Sequence, residues 1–168
     1  MSTKAVNLNI GVFDNKIDNL IAFDFATSKP QNVQRAHIKG VEIAANRAFA
    51  GIDWNANLTL QQAKNADTQQ QLRSRAKVFG AISAAQTLGA WRWQADAVLN
   101  GARYDAATQS AASRMGGYAL LNASVRYSVN KNWQLELAGN NLTDKTYELA
   151  RGYNQLGRQI LFNVRFSN

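Results

Sequence analysis

The sequence predicts an all-β fold: an antiparallel, up-and-down transmembrane β-barrel of about eight strands, either closed on itself or part of a larger barrel. Three observations predict it. Eight segments read as strands, and all but the fourth alternate apolar and polar residues with the period of two that gives a strand two unlike faces. Long connections (26–32, 64–73, 105–116, 148–156) take turns with short ones (49–51, 89–90, 130–132). Membrane barrels keep that order, with short periplasmic turns and long outer loops, and a soluble meander has no reason to. Finally, Trp54, Trp91, Trp93 and Trp133 all stand within a few residues after a short turn, where aromatic rings would form an interfacial girdle at the periplasmic boundary.

The elements follow in order. Val6, Leu8, Ile10 and Val12 share one face of a first strand, with Asn7, Asn9 and Gly11 on the other; a break is expected at Asp14-Asn15, after which Ile17, Leu20 and Ile21 continue. Ala26 to Asn32 contains Pro30 and reads as a loop. In the second strand, Val33 to Phe49, Val41, Ile43 and Ala45 share a face. The third, Ile52 to Ala63, sets Ile52, Trp54, Ala56, Leu58 and Leu60 against Asp53, Asn55, Asn57, Thr59 and Gln61. The fourth, Arg75 to Leu88, is apolar on both sides in places, so its faces stay unassigned. The fifth opposes Trp91, Trp93, Ala95, Ala97 and Leu99 to Arg92, Gln94, Asp96 and Asn100. The sixth, Gly117 to Val129, opposes Leu121, Val125, Tyr127 and Val129 to Asn122, Ser124, Arg126 and Ser128. Asn130-Lys131-Asn132 has good turn chemistry. Trp133 to Ala138 and Gln159 to Phe166 complete the set. A short helix over Gln69 to Lys77 has too few apolar positions for an amphipathic face.

Composition narrows the function. There is no Cys and a single His, His37, so disulfides, thiolate metal sites and triad chemistry are not expected. No metal, cofactor or catalytic group is predicted. The net charge of +8 is spread along alternating strands, without the dense basic footprint of a nucleic-acid binder. No window reaches the ~20 apolar residues of a membrane helix, which leaves a barrel open because its strands need only about 10 residues each. Met1-Ser2-Thr3-Lys4 lacks the features of a signal peptide, so an exported protein with this sequence is expected to be a piece of a longer or interrupted reading frame.

Two runs carry a family resemblance. Gly139-Asn140-Asn141-Leu142-Thr143-Asp144-Lys145-Thr146-Tyr147 follows a strand, and Gly157-Arg158 opens the strand that ends at Phe166. Upstream stands Ala36-His37-Ile38-Lys39-Gly40-Val41-Glu42, and Asp18-Asn19-Leu20-Ile21 adds a weaker match. These runs resemble the C-terminal part of the TonB-dependent receptors of Gram-negative outer membranes. The resemblance implies a non-enzymatic segment spanning 1–168, without a plug domain, that contributes barrel wall and ligand-gathering loops in the cell outer membrane and cannot transport by itself. It implies outer-membrane lipid and the barrel-assembly machinery as partners and, for a full-length parent, TonB and a cobalamin or ferric siderophore ligand. Ser167-Asn168 after Phe166 departs from the family's aromatic ending. On pattern alone, a stand-alone eight-stranded barrel without transport and a soluble lipocalin-like carrier remain alternatives; the carrier would place Trp54, Leu58, Leu99 and Val125 inside.

Candidate site residues fall in two sets. Tyr104, Arg114, Tyr147, Arg151 and Tyr153 lie in the predicted outer loops and are of the types favoured in binding patches. Arg92, Asp96, Arg126, Glu136 and Arg165 share lumen-facing parity and could pair across strands. Asp144 is expected to serve a turn or bulge.

Overall fold

The computed structural model describes residues 6–24, 28–106 and 109–168. The strands are β1 (Asn7–Asp24), β2 (Lys29–Phe49), β3 (Ile52–Asn65), β4 (Val78–Leu88), β5 (Trp91–Asn100), β6 (Arg103–Tyr104), β7 (Arg114–Met115), β8 (Tyr118–Ser128), β9 (Trp133–Asn140), β10 (Glu148–Ala150), β11 (Tyr153–Asn154) and β12 (Gln159–Phe166). Eight of them form one sheet in the order β1-β2-β3-β4-β5-β8-β9-β12, every pair antiparallel. The other four make two small hairpins, β6 with β7 and β10 with β11.

Directly opposed residues share a face, so the register carries the alternation from strand to strand. One row runs Leu8, Ala45, Ala56, Ile82, Ala97, Leu121. Another runs Trp93, Val125, Leu137, Phe162. The opposite face carries the row Asn7, Asn46, Asn55, Ser83, Asp96, Asn122. Register also settles β4: Val78, Gly80, Ile82, Ala84 and Leu88 join the apolar face, while Phe79, Ala81, Ser83 and Ala85 join the polar one.

That apolar face is uncovered. Val12 is 80 % exposed, Ile160 63 % and Phe162 66 %. Among the described residues the buried apolar side chains are Ala36, Ala63, Ala76, Ala84, Ala85 and Met115, so there is no core of large side chains. A water-soluble domain does not leave a whole sheet face of Leu, Ile, Val and Trp bare; a sheet facing lipid does. Trp54, Trp91, Trp93 and Trp133 all stand on this face at the ends bearing the short turns. Trp91 packs on Tyr127 at 4.5 Å between ring centroids and Trp133 on Phe166 at 4.8 Å.

The turns explain themselves. Phe49 opposes Ile52 across Ala50 and Gly51, whose φ values of 53° and 75° are both left-handed, the geometry that matches strand twist in a two-residue hairpin. Asn130 Oδ1 accepts from the backbone N–H groups of Asn132 and Trp133 at 2.9 and 3.0 Å. Gly40, the glycine of the upstream run, lies under the Phe13 ring. A Cβ there would meet the Leu60 carbonyl oxygen at 2.3 Å and the ring at 2.7 Å, which accounts for a glycine in mid-strand.

Several expectations are corrected. The break at Asp14-Asn15 is absent: β1 runs on, because Asp14 meets Lys39 across the ladder and hydrogen-bonds His37 Nε2 at 2.6 Å. The predicted loop 26–32 begins in 25–27, outside the described residues, as are Met1 to Ala5. Its second half is strand, with Pro30 opposite Phe23. There β2 has run past its last pair with β3, Ala36 with Asn65, and a strand with an open side tolerates proline. β3 extends to Asn65, and β4 starts at Val78 rather than Arg75. The loops at 105–116 and 148–156 include the strands β7 and β10–β11, too short to show alternation.

The Asn141 run forms a knot at the end of β9. Asn141 is 4 % exposed with φ 49°. Its Nδ2 donates to the carbonyls of Lys145 (2.9 Å) and Leu156 (3.4 Å), and its Oδ1 accepts from Lys145 N–H at 2.8 Å. Asp144 Oδ1 accepts from Arg158 N–H at 2.8 Å and stands 2.7 Å from where a Cβ on Gly157 would lie. The role expected of Asp144 is thus met by a turn.

Two measurements follow. Asn141→Ala removes three hydrogen bonds at a buried site and is expected to cost about 2–3 kcal/mol, read as an earlier loss of β signal with urea in detergent micelles; an unchanged midpoint would refute the knot's importance. The two sheet edges, β1 and β12, are not paired with each other. The chain refolded in micelles is therefore expected to give a strong β spectrum but to run as edge-paired oligomers on unboiled gels. A heat-modifiable monomer would contradict this.

Candidate binding site among the long loops

The three long connections that follow β3, β5 and β9 meet at one carboxylate. Asp105, just after β6, accepts from the Arg73 guanidinium at 3.2 and 3.3 Å, from the Ser74 hydroxyl at 3.3 Å and from Arg151 N–H at 2.8 Å. Ser74 N–H donates to the Tyr104 carbonyl at 2.8 Å. Burial pushes the Asp105 carboxyl up, but the Arg151 amide, Arg73 and Ser74 outweigh it and hold the group below the usual carboxylate range.

A second tie lies beneath. Arg103, on β6, is 5 % exposed. Its Nη2 donates to the carbonyls of Glu148 and Leu149 at 2.7 and 3.1 Å, and its guanidinium lies over the Tyr118 ring at 5.6 Å. The β6–β7 hairpin is thereby fixed against β10. Between them opens a cleft of about 620 Å³ lined by Ala111, Arg114, Met115, Glu148, Arg151 and Gly152.

Of the residues predicted for binding, the structure brings Arg114 and Arg151 together on this cleft. Tyr104 opposes Arg114 in the hairpin ladder but does not line it. Tyr147 is half-buried against Tyr118, with ring centroids 4.6 Å apart. Tyr153 is exposed on β11 and does not line the cleft, although its neighbour Gly152 does. Sequence reasoning missed Arg73, Arg103 and Asp105. No local pattern marks them, since their partners lie about 30 to 45 positions away in the chain.

The charges predicted for the polar face do lie there, and they pair in part. Arg126 meets Glu136 at 3.1 Å across β8 and β9. Asp96 accepts from Asn122 Nδ2 at 2.8 Å. Arg92 directly opposes Arg126 and donates instead to Thr87 Oγ1 at 3.1 Å. Arg165 opposes Gln134.

Residues 2–142 match the family model described as "TonB dependent receptor-like, beta-barrel". The chain belongs to this family. Its fold is shared with three solved structures. Against the siderophore receptor PiuA from Acinetobacter baumannii, the identity is 21 % and the TM-score 0.77, covering 96 % of this chain and 26 % of that one. Against the ferric yersiniabactin uptake receptor FyuA from Yersinia pestis the values are 20 %, 0.84, 98 % and 28 %. Against the copper transporter OprC they are 18 %, 0.81, 97 % and 28 %. The chain thus spans little more than a quarter of the length of these proteins. TonB-dependent receptors are receptors and transporters rather than enzymes, and their barrels lie in the outer membrane. With β1 and β12 unpaired, the sheet is part of a larger barrel rather than a closed one. Family membership removes the lipocalin-like reading; Trp54, Leu99 and Val125 are on the exposed face, 41–43 % accessible.

The Asp105 tie gives the loops a pH dependence. The contacts favour the ionised carboxylate, so their stabilisation is present above its unfolded pKa and disappears as pH falls through the lower, folded one. Hydrogen exchange at the Arg151 amide, corrected for the intrinsic rate, is expected to speed up through that window, and Asp105→Asn should abolish the dependence. A wild-type rate without pH dependence would refute the tie.

Proposed function

We propose that this chain forms barrel wall and ligand-gathering outer loops of an outer-membrane receptor for an anionic metal chelate of the ferric siderophore class. The observation that carries this reading is the cleft where Arg114 and Arg151 converge, held open by loops tied at Asp105 and Arg103. Two guanidinium groups beside an open cleft suit the carboxylate, hydroxamate or catecholate oxygens of such a chelate. Tyr104, Tyr147 and Tyr153 would flank or support the site. In this reading residues 1–168 contribute a barrel segment and no plug, and coupled uptake requires a parent receptor with a plug and TonB. Trp54, Trp91, Trp93 and Trp133 form the periplasmic girdle. Arg92, Asp96, Arg126, Glu136 and Arg165 face a wet lumen. Outer-membrane lipid and the barrel-assembly machinery are the remaining partners.

Cobalamin is a second reading: Ala36 to Glu42 followed by the Asn141-Leu142-Thr143-Asp144 ending resembles the cobalamin-receptor branch, and siderophore receptors share much of that pattern. It asks for less positive charge at the cleft. The two readings part on one experiment. Outer-membrane vesicles carrying a parent receptor with this segment are titrated with ferric siderophores and with cobalamin. Replacing Arg114 and Arg151 together by Ala is expected to weaken chelate binding by about tenfold or more, as loss of charge-assisted bonds does. Tight cobalamin binding that ignores the double substitution would overturn the siderophore reading.

A further inference from the structure

We propose that Arg47 docks the phosphate of a glycerophospholipid in the leaflet that surrounds the short-turn ends of the sheet, which is the periplasmic leaflet. The inference rests on the membrane reading above. It starts from an exception. From the short turns up to the row Val12, Val41, Leu60, Val78, the apolar face carries a single charged side chain among the described residues, and that residue is Arg47. The register fixes its side: Arg47 opposes Trp54, one step from Ala45 opposite Ala56 and Phe49 opposite Ile52.

Among the described residues no carboxylate stands on that face between the short turns and the Val12 row. Asp53, the nearest carboxylate in the ladder, opposes Ala48 and points to the polar side. The Arg47 guanidinium lies 5.0 Å from the centre of the Phe49 ring, and its Nε is shielded from solvent without a hydrogen-bond partner among the described residues. Arg47 is three residues before Ala50, so about 10 Å along the strand from the turn. That is the depth of the headgroup region, between exposed Phe49 and Trp54. A bare cation in hydrocarbon is costly. A guanidinium offers a planar fork that matches a phosphate diester, and the ring behind it fixes its plane. The counter-charge the sheet lacks is the one the lipid surface supplies.

The test uses the whole chain reconstituted in phosphatidylethanolamine–phosphatidylglycerol vesicles with added lipid A, extracted in mild detergent and weighed by native mass spectrometry. Wild type is expected to retain phospholipid; Arg47→Leu, which suits a lipid-facing site and gives up only the guanidinium's contact with the Phe49 ring, should retain about tenfold less. Arg92→Gln, on the polar face, should retain as much as wild type. Equal retention by Arg47→Leu, equal loss by Arg92→Gln, or retention of lipid A in place of phospholipid would each overturn the proposal. Quenching of Trp fluorescence by brominated acyl chains separates the two levels of failure. Quenching with no effect of Arg47→Leu sinks the docking site alone, and no quenching in wild type sinks the membrane reading with it.

Discussion

Everything in this structure depends on where backbone hydrogen bonds can go when one side of a sheet is in hydrocarbon. Lipid offers no donors or acceptors, so each N–H and C=O at that depth must find its partner on a neighbouring strand. The continuous antiparallel ladder from β1 to β12 meets that demand at every internal strand. It also frees the side chains from building a core. The sheet needs no second layer, because lipid covers Leu8, Ile10, Phe162 and their neighbours. Among the described residues the demand is unmet along the outer sides of β1 and β12, the edges that a larger barrel has to pair.

Much of this was legible in the sequence, for a physical reason. A strand between lipid and water has to alternate strictly, so Trp91 to Asn100 or Gln159 to Phe166 can be read residue by residue. β4 resisted because its polar face carries small and apolar residues, Phe79, Ala81 and Ala85, and only the pairing of Ala84 with Trp54 and of Ala81 with Asn57 decided the matter. The misreadings fell beyond the apolar band. There Asp14, Asn15 and Pro30 have turn chemistry but are exposed positions of paired strands, where polarity no longer signals the end of a strand.

The loop site was legible only as a list of residue types. Arg114 and Arg151 could be named as candidates, but nothing local says that they share a cleft. That depends on Arg103 reaching the Glu148 carbonyl and on Asp105 reaching the Arg151 amide, contacts across 45 and 46 positions. The Asn141 run is intermediate. Its composition announces a turn, while its purpose, clamping Lys145, Leu156 and Arg158 so that β12 re-enters the sheet beside β9, appears only in three dimensions.

The long β1–β2 hairpin keeps one register from Asn7 opposite Asn46 to Asp24 opposite Lys29, well past the last β2–β3 pair at Ala36. Beyond that pair it is a two-stranded beam about 20 Å long, at roughly 3.4 Å per residue. Its foot is clamped sideways by Arg35 gripping Asp67. Slack chain absorbs a push as entropy, whereas a registered ribbon passes it on. A load applied near Asp24 and Lys29 would reach the barrel wall as a torque about the Ala36–Asn65 pair, making this hairpin a lever attached to the rim.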